Sequence, residues 1–200
     1  MPPLPEGVTL PPGRTKFDAN DLDEYWANNL DFSLLGGGDP KCVEMLESIS
    51  TNTKWNLNIV AFSNGPRKYV SRALKEIGLD SFFPPQNLFA VTDVLPHAKP
   101  DKGSFDKVLK SIGAKPEECV MVEDSMKNTR AAKALGMKTI LVVGKGRRKG
   151  ATPSTELDQK ALDAEATKPG DAPDETDPAV DAVVEVASEV TDVLTAWLGA

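Results

Sequence analysis

At 200 residues, 40% of them hydrophobic, the chain is long enough for one globular core of ordinary size with a small appendage. A formal charge of −7 at pH 7 and a pI near 4.8 argue against a general polyanion-binding surface, so nucleic acid is not an expected partner. Cys42 and Cys119 show no zinc-site or disulfide spacing, and no run reaches the roughly 18 consecutive apolar residues of a membrane span, so a reducing, cytoplasmic setting without a membrane partner is expected.

Residues 1–19 are rich in Pro and Gly and read as an irregular tail. From Asn20, the acids Asp21, Asp23 and Glu24 lead into Tyr25, Trp26 and Leu30, which predicts a short helix with negative charge at its start, broken at Gly36-Gly37-Gly38. Asp39-Pro40 opens the next helix, with Val43, Met45, Leu46 and Ile49 at helical spacing to about Ser50. Leu57 and the run Ile59 to Phe62 predict a buried strand that enters a tight turn at Ser63-Asn64-Gly65-Pro66. Tyr69, Val70, Ala73, Leu74 and Ile77 recur at helical spacing before Gly78.

Leu88 to Val91 is a second strand candidate, and Lys99 to Gly113 a helix through Phe105, Val108, Leu109 and Ile112. Cys119 to Val122 predicts a third buried strand ending in Glu123-Asp124-Ser125. An Ala-rich helix follows over Thr129 to Leu135, and Thr139 to Val143 predicts a fourth strand. Apolar strands alternating with amphipathic helices define an α/β chain with a parallel sheet covered on both faces. Residues 144–178 are dominated by charged and turn-forming types and read as a flexible acidic insertion. Over 179–200, Val183, Val184, Val190, Val193, Leu194, Trp197 and Leu198 predict a strand and an amphipathic helix docking back on the core.

Ligands of open parallel sheets collect at the carboxyl ends of the strands, and three of these strands lead into polar residues suited to one anion. Ser63 offers a hydroxyl, and Asn64 and Gly65 offer amides in a turn that lets backbone N–H groups approach phosphate oxygens, although such a turn is also an ordinary tight connection. Lys99, fixed by Pro100, is either a solvated lysine or a point charge that neutralises a phosphoryl group. Glu123 and Asp124, with Asn128 four residues on from Asp124, either cap a helix or offer oxygens to a hard divalent cation. His97 has no evident partner and reads as an exposed loop residue rather than a general acid. The basic stretches Lys145 to Lys149 and Arg67-Lys68 read as solvated faces.

In order and separation, Phe62-Ser63-Asn64-Gly65, Ala98-Lys99-Pro100-Asp101 and Met121-Val122-Glu123-Asp124-Ser125 through Asn128 resemble the second, third and fourth motifs of haloacid dehalogenase-like hydrolases. Asp31-Phe32-Ser33-Leu34-Leu35 before Asp39-Pro40, together with Val122-Glu123-Asp124-Ser125, is most similar to the pyrimidine 5′-nucleotidase branch. The resemblance runs roughly from Leu22 to Val143. It implies a Rossmann-like sheet with helices on both faces, residues 20–38 being a remnant of a helical cap and 39–143 the α/β core. It also implies a Mg²⁺-dependent phosphomonoesterase acting on a small phosphorylated metabolite, a nucleotide by the branch resemblance, in which an aspartate attacks phosphorus. By carry-over, Ser63 binds a phosphoryl oxygen and Lys99 steadies phosphate and nucleophile, beside the amides that the Asn64-Gly65 turn offers. Asp124 ligates Mg²⁺, Asn128 supports it through water, and Glu123 stands behind the metal ligands.

The family carries its nucleophile in an Asp-x-Asp-x-Thr motif after an apolar strand, and no such motif occurs in these 200 residues; the acids of Asp18 to Asp23 follow no apolar run. The expected fold therefore lacks the usual first central strand, which in the family lies between the strands leading to Ser63 and Asp124. An N-terminally incomplete and hence inactive phosphatase chain is the leading expectation. A non-catalytic relative that binds a phosphorylated ligand or a protein is the alternative. A dinucleotide-binding oxidoreductase would share the rhythm but needs a Gly-x-Gly-x-x-Gly that is absent.

Overall fold

The computed structural model describes Gly13 and residues 19–144 and 173–199, without the side chains of residues 19, 20 and 22. The expected tail, apart from Gly13 and residue 19, and residues 145–172 of the expected insertion lie outside the described residues. Helix α1 spans Ala19–Asn29, α2 Pro40–Thr51, α3 Arg67–Glu76, α4 Val91–Val94, α5 Lys102–Ile112, α6 Met126–Leu135 and α7 Val190–Leu198. The strands are β1 Ala61–Phe62, β2 Leu88–Phe89, β3 Val120–Glu123, β4 Lys138–Val142 and β5 Ala182–Val184. None of the described helices is long and apolar enough to cross a membrane.

Local chemistry explains most boundaries. The Asp39 carboxylate accepts from Lys41 N at 3.0 Å, and Pro40 occupies the first turn of α2, where its missing N–H costs nothing. Asp101 caps α5 by accepting from Gly103 N at 2.8 Å, and Gly113 ends that helix in the left-handed region. Helix α3 begins after Pro66, which has no side-chain acceptor, and its cap comes from another element: the buried Asp23 of α1 accepts from Lys68 N and Tyr69 N, both at 3.1 Å. The Arg72 guanidinium donates to Ala27 O and lies over the Phe32 ring, and Trp26 meets Tyr69 edge-on at 5.8 Å. These contacts hold α1 and the 3₁₀ turn Phe32–Leu35 against α3, while Tyr25, Leu34 and Leu35 remain exposed.

Strand pairing is parallel throughout, as expected, but it forms two sheets rather than one. β1 pairs with β2, and β3, β4 and β5 pair in that order. The strands near Leu57 and Leu88 are shorter than expected: only Ala61–Phe62 and Leu88–Phe89 are laddered, and Val91 instead begins the short helix α4. The division into two sheets has a physical reason. Among the described residues no strand lies between β1 and β3, so each has hydrogen-bonding partners on one side only.

The same two layers of helices nevertheless cover both sheets. On one face Ile49 of α2 and Val190 and Leu194 of α7 pack with Ile140 and Val184, and Leu57 and Ile59 from the approach to β1 join them. On the other face Phe105 and Leu109 of α5 pack with Ala132 of α6, and Phe62 of β1 and Met121 of β3 meet in that cluster. β4 is central to its sheet, and Ile140 and Leu141, pointing to opposite faces, are both fully buried. β3 departs from the buried strand predicted for Cys119 to Val122. Val120 and Val122 are 37% and 40% exposed, and β3 is an edge strand with no strand beside it on one side among the described residues.

Candidate active site

The strand ends place the polar side chains. Ser63 N donates to Phe89 O at 2.9 Å, extending the β1–β2 ladder by one bond before the chain turns. The Ser63 hydroxyl oxygen then accepts from Gly65 N at 3.0 Å, closing a short turn. At Gly65 an added Cβ would come within 2.9 Å of Val70 Cγ2 and 3.3 Å of Ser63 Oγ, so a side chain here would require Val70 to shift. Lys99 enters from the loop after α4. Its ammonium donates to Phe62 O at 2.8 Å and to Glu123 Oε2 at 2.6 Å, and it lies 4.9 Å from the Phe62 ring centre. Lys99 thus joins the two sheets across the unpaired edges of β1 and β3.

Glu123 is the last residue of β3 and is 8% exposed, its partner Lys99 7%. One carboxylate oxygen takes the ammonium, and the other accepts from Asp124 N at 3.2 Å and Ser125 N at 3.4 Å, at the entrance to α6. Burial alone would raise the Glu123 pKa, but the Lys99 charge and these hydrogen bonds outweigh it and hold the group below its ordinary range. Asp124 behaves in the opposite sense. Burial, together with the hydrogen-bonded and negatively charged Glu123 beside it, pushes Asp124 up to about 6. The buried Asn128 follows in the first turn of α6, one helical turn from Asp124.

Ser63, Asn64, Gly65, Lys99, Glu123, Asp124 and Asn128 all line one cavity of about 610 Å³ at the carboxyl ends of the strands. Every site residue singled out in the sequence is therefore brought to one place. His97 is not: its ring lies against Gly103, and Nδ1 is 2.9 Å from Asp101 Oδ2, beside the cap of α5. The wall contributed by Val142 and Ala187 had no signature in the sequence, because it depends on β4 and on the turn after β5 returning to the same mouth.

The donor set suits a hard cation. Asp124 and Asn128 offer oxygens, and Mg²⁺ ordinarily keeps several waters and substrate oxygens besides one or two carboxylates. No cluster of three or more acidic, His or Cys side chains is present among the described residues, so a protein cage that would favour a fully dehydrated ion is not formed there. A phosphate in this mouth would meet Ser63, the turn amides, the Lys99 ammonium and the amino end of α6.

A parallel α/β fold with an ammonium, a hydroxyl and carboxylates at one set of strand ends is suited to a phosphoryl group. Residues 9–136 match the family model of haloacid dehalogenase-like hydrolases, and the chain belongs to that family. It is 30% identical over 99 residues to "Phosphoglycolate phosphatase 1" of Pseudomonas aeruginosa, covering 50% of this chain and 34% of that protein. To "Pyrophosphatase PpaX" of Halalkalibacterium halodurans it is 28% identical over 96 residues, 48% of this chain and 43% of that protein. These matches span less than half of each relative's length. Among solved structures, a HAD family hydrolase from Deinococcus radiodurans R1 with bound phosphate and sodium superposes with a TM-score of 0.53 at 18% identity, over 78% of this chain and 58% of that one. That likeness is one of fold.

Proposed function

We propose that this chain forms the phosphate- and Mg²⁺-binding half of a phosphomonoesterase site for a small phosphorylated metabolite, and that by itself it hydrolyses phosphate esters negligibly. The observation that carries the reading is the convergence of Ser63, Lys99 and Asp124, from three strand ends, on one cavity. Ser63 and the Gly65 turn bind phosphoryl oxygens, and Lys99 neutralises charge on them. Asp124, with Asn128 behind it, holds the metal, which when bound screens the phosphate and polarises its oxygens. Glu123 keeps the ammonium in place from below. The reading of negligible turnover rests on the absence of the Asp-x-Asp-x-Thr motif from these 200 residues. Asp21 and Asp23, the only Asp-x-Asp pair in the sequence, belong to α1, and the Asp23 carboxylate is taken up in capping α3.

The resemblance to the pyrimidine 5′-nucleotidase branch favours a nucleoside monophosphate, whereas the printed names of the relatives point to phosphoglycolate or pyrophosphate. The free thiols of Cys42 and Cys119 fit a reducing cytoplasm. Calorimetric titration of the full chain with MgCl₂ and inorganic phosphate tests the site, with Asp124→Ala as control. Saturable binding that Asp124→Ala weakens at least tenfold is the expected result; binding indifferent to Asp124, or none, overturns it. Titration with a pyrimidine nucleoside monophosphate, phosphoglycolate and pyrophosphate then separates the ligand classes. Mg²⁺-dependent turnover of any of them that disappears in Asp124→Ala would contradict the absence of catalysis.

A further inference from the structure

Asn64 was expected to offer a backbone N–H in the phosphate turn, and its side-chain amide has a separate engagement. Its Oδ1 accepts from Lys99 N at 2.9 Å, and its Nδ2 donates to Lys99 O at 2.8 Å, so one amide holds both backbone polar groups of Lys99. Lys99 lies in a loop between α4 and α5, where no helix or strand ladder fixes its backbone. Its ammonium, at the end of a flexible four-carbon stem, returns to Phe62 O at 2.8 Å. The two ends of Lys99 are thus tied to Phe62 and Asn64, and Ser63 is the residue between those anchors. The result is a closed ring of contacts that sets the distance between the Ser63 hydroxyl and the Lys99 charge.

We infer that Asn64 is a positioning residue, whose side chain acts on a bound phosphate by fixing Lys99 relative to Ser63 and not by contacting the phosphate with its side-chain amide. The inference rests on the phosphate-site reading above and deepens it. It needs no fold-wide role for Asn64, which is exposed and whose bonds to Lys99 lie at the surface. Removing two neutral hydrogen bonds that hold a charge-bearing loop should weaken phosphate binding about tenfold.

The test compares the full chain with Asn64→Ala, using two readouts. The first is the NMR correlation of the Lys99 ammonium without ligand, assigned by its absence in Lys99→Arg; the second is titration with inorganic phosphate. The expected result is that Asn64→Ala shifts or broadens the Lys99 ammonium signal and weakens phosphate about tenfold, with little change in melting temperature. Asn87→Ala is the control. Asn87 also bridges loops through its amide, donating to Asn58 Oδ1 and Ile59 O, but it lies away from the cavity and should leave the Lys99 signal unmoved. Weaker phosphate binding with an unchanged Lys99 signal would overturn the inference in favour of direct contact, and no change in either readout would also overturn it. If the unsubstituted chain binds no phosphate, the site reading fails, while the ammonium comparison still decides whether Asn64 positions Lys99.

Discussion

Lys99 and Glu123 are almost fully buried, and each is the other's charge partner, so substitution of either alone has a large expected cost. Lys99→Met leaves the Glu123 carboxylate desolvated and unpaired, and a loss of about 3–5 kcal/mol is expected in urea unfolding. Lys99→Met combined with Glu123→Gln removes both charges, and Gln keeps an oxygen for the Asp124 and Ser125 amides. That pair should recover most of the loss. A double substitution as unstable as Lys99→Met alone would mean that the ammonium supports the fold through Phe62 O and not through the ion pair.

Between elements, single carboxylates carry contacts that sequence spacing does not announce. Asp23 of α1 caps α3, so Asp23→Ala should cost about 1–2 kcal/mol of stability by thermal or urea unfolding while leaving phosphate affinity unchanged. A loss of phosphate binding without a loss of stability would instead place Asp23 in the site. Asp181 joins the start of β5 to β4 and α6. It accepts from Thr139 N at 2.9 Å and receives the Lys133 ammonium at 2.5 Å. Burial works against ionisation there, but these contacts prevail and hold its pKa below the ordinary value of 3.8. A carboxyl depressed in the folded state stabilises above its unfolded pKa, and that contribution is lost as pH falls through the folded value. Unfolding measured against pH should therefore show the unsubstituted chain more stable than Asp181→Asn near neutrality, with the gap closing below about pH 4.

Across the whole molecule, two short parallel sheets share their helix layers without a hydrogen bond between β1 and β3. β4, paired on both sides and buried on both faces, is the most secure element, whereas β1 is two residues long and paired on one side. Native-state hydrogen exchange should accordingly be slowest at the amides of Ile140 and Leu141 and markedly faster at Phe62 and Ser63. Equal protection across the two sheets would mean that they unfold as one cooperative unit despite the unpaired edges.

The sequence by itself determined the parallel α/β character, because apolar strands and amphipathic helices alternate wherever both faces of a strand are buried. It also showed the candidate site, because Ser63, Lys99 and Asp124 each follow or approach a strand end in the order of the family's motifs. Helix α2 was legible for the same local reason: Asp39 and Pro40 act on the residues next to them. Tertiary structure alone decided what depends on residues distant in the chain. That β3 is an edge strand with Val122 exposed is a property of pairing and packing rather than of a valine-rich run. Asp23 became a cap for α3 across 45 residues, and Asn64 a clamp on Lys99 across 35, because a hydrogen bond is set by where two loops meet in space. Hydrophobic period and motif order are local and survive in one dimension, whereas the partner of a buried polar group exists only once the chain has closed around it.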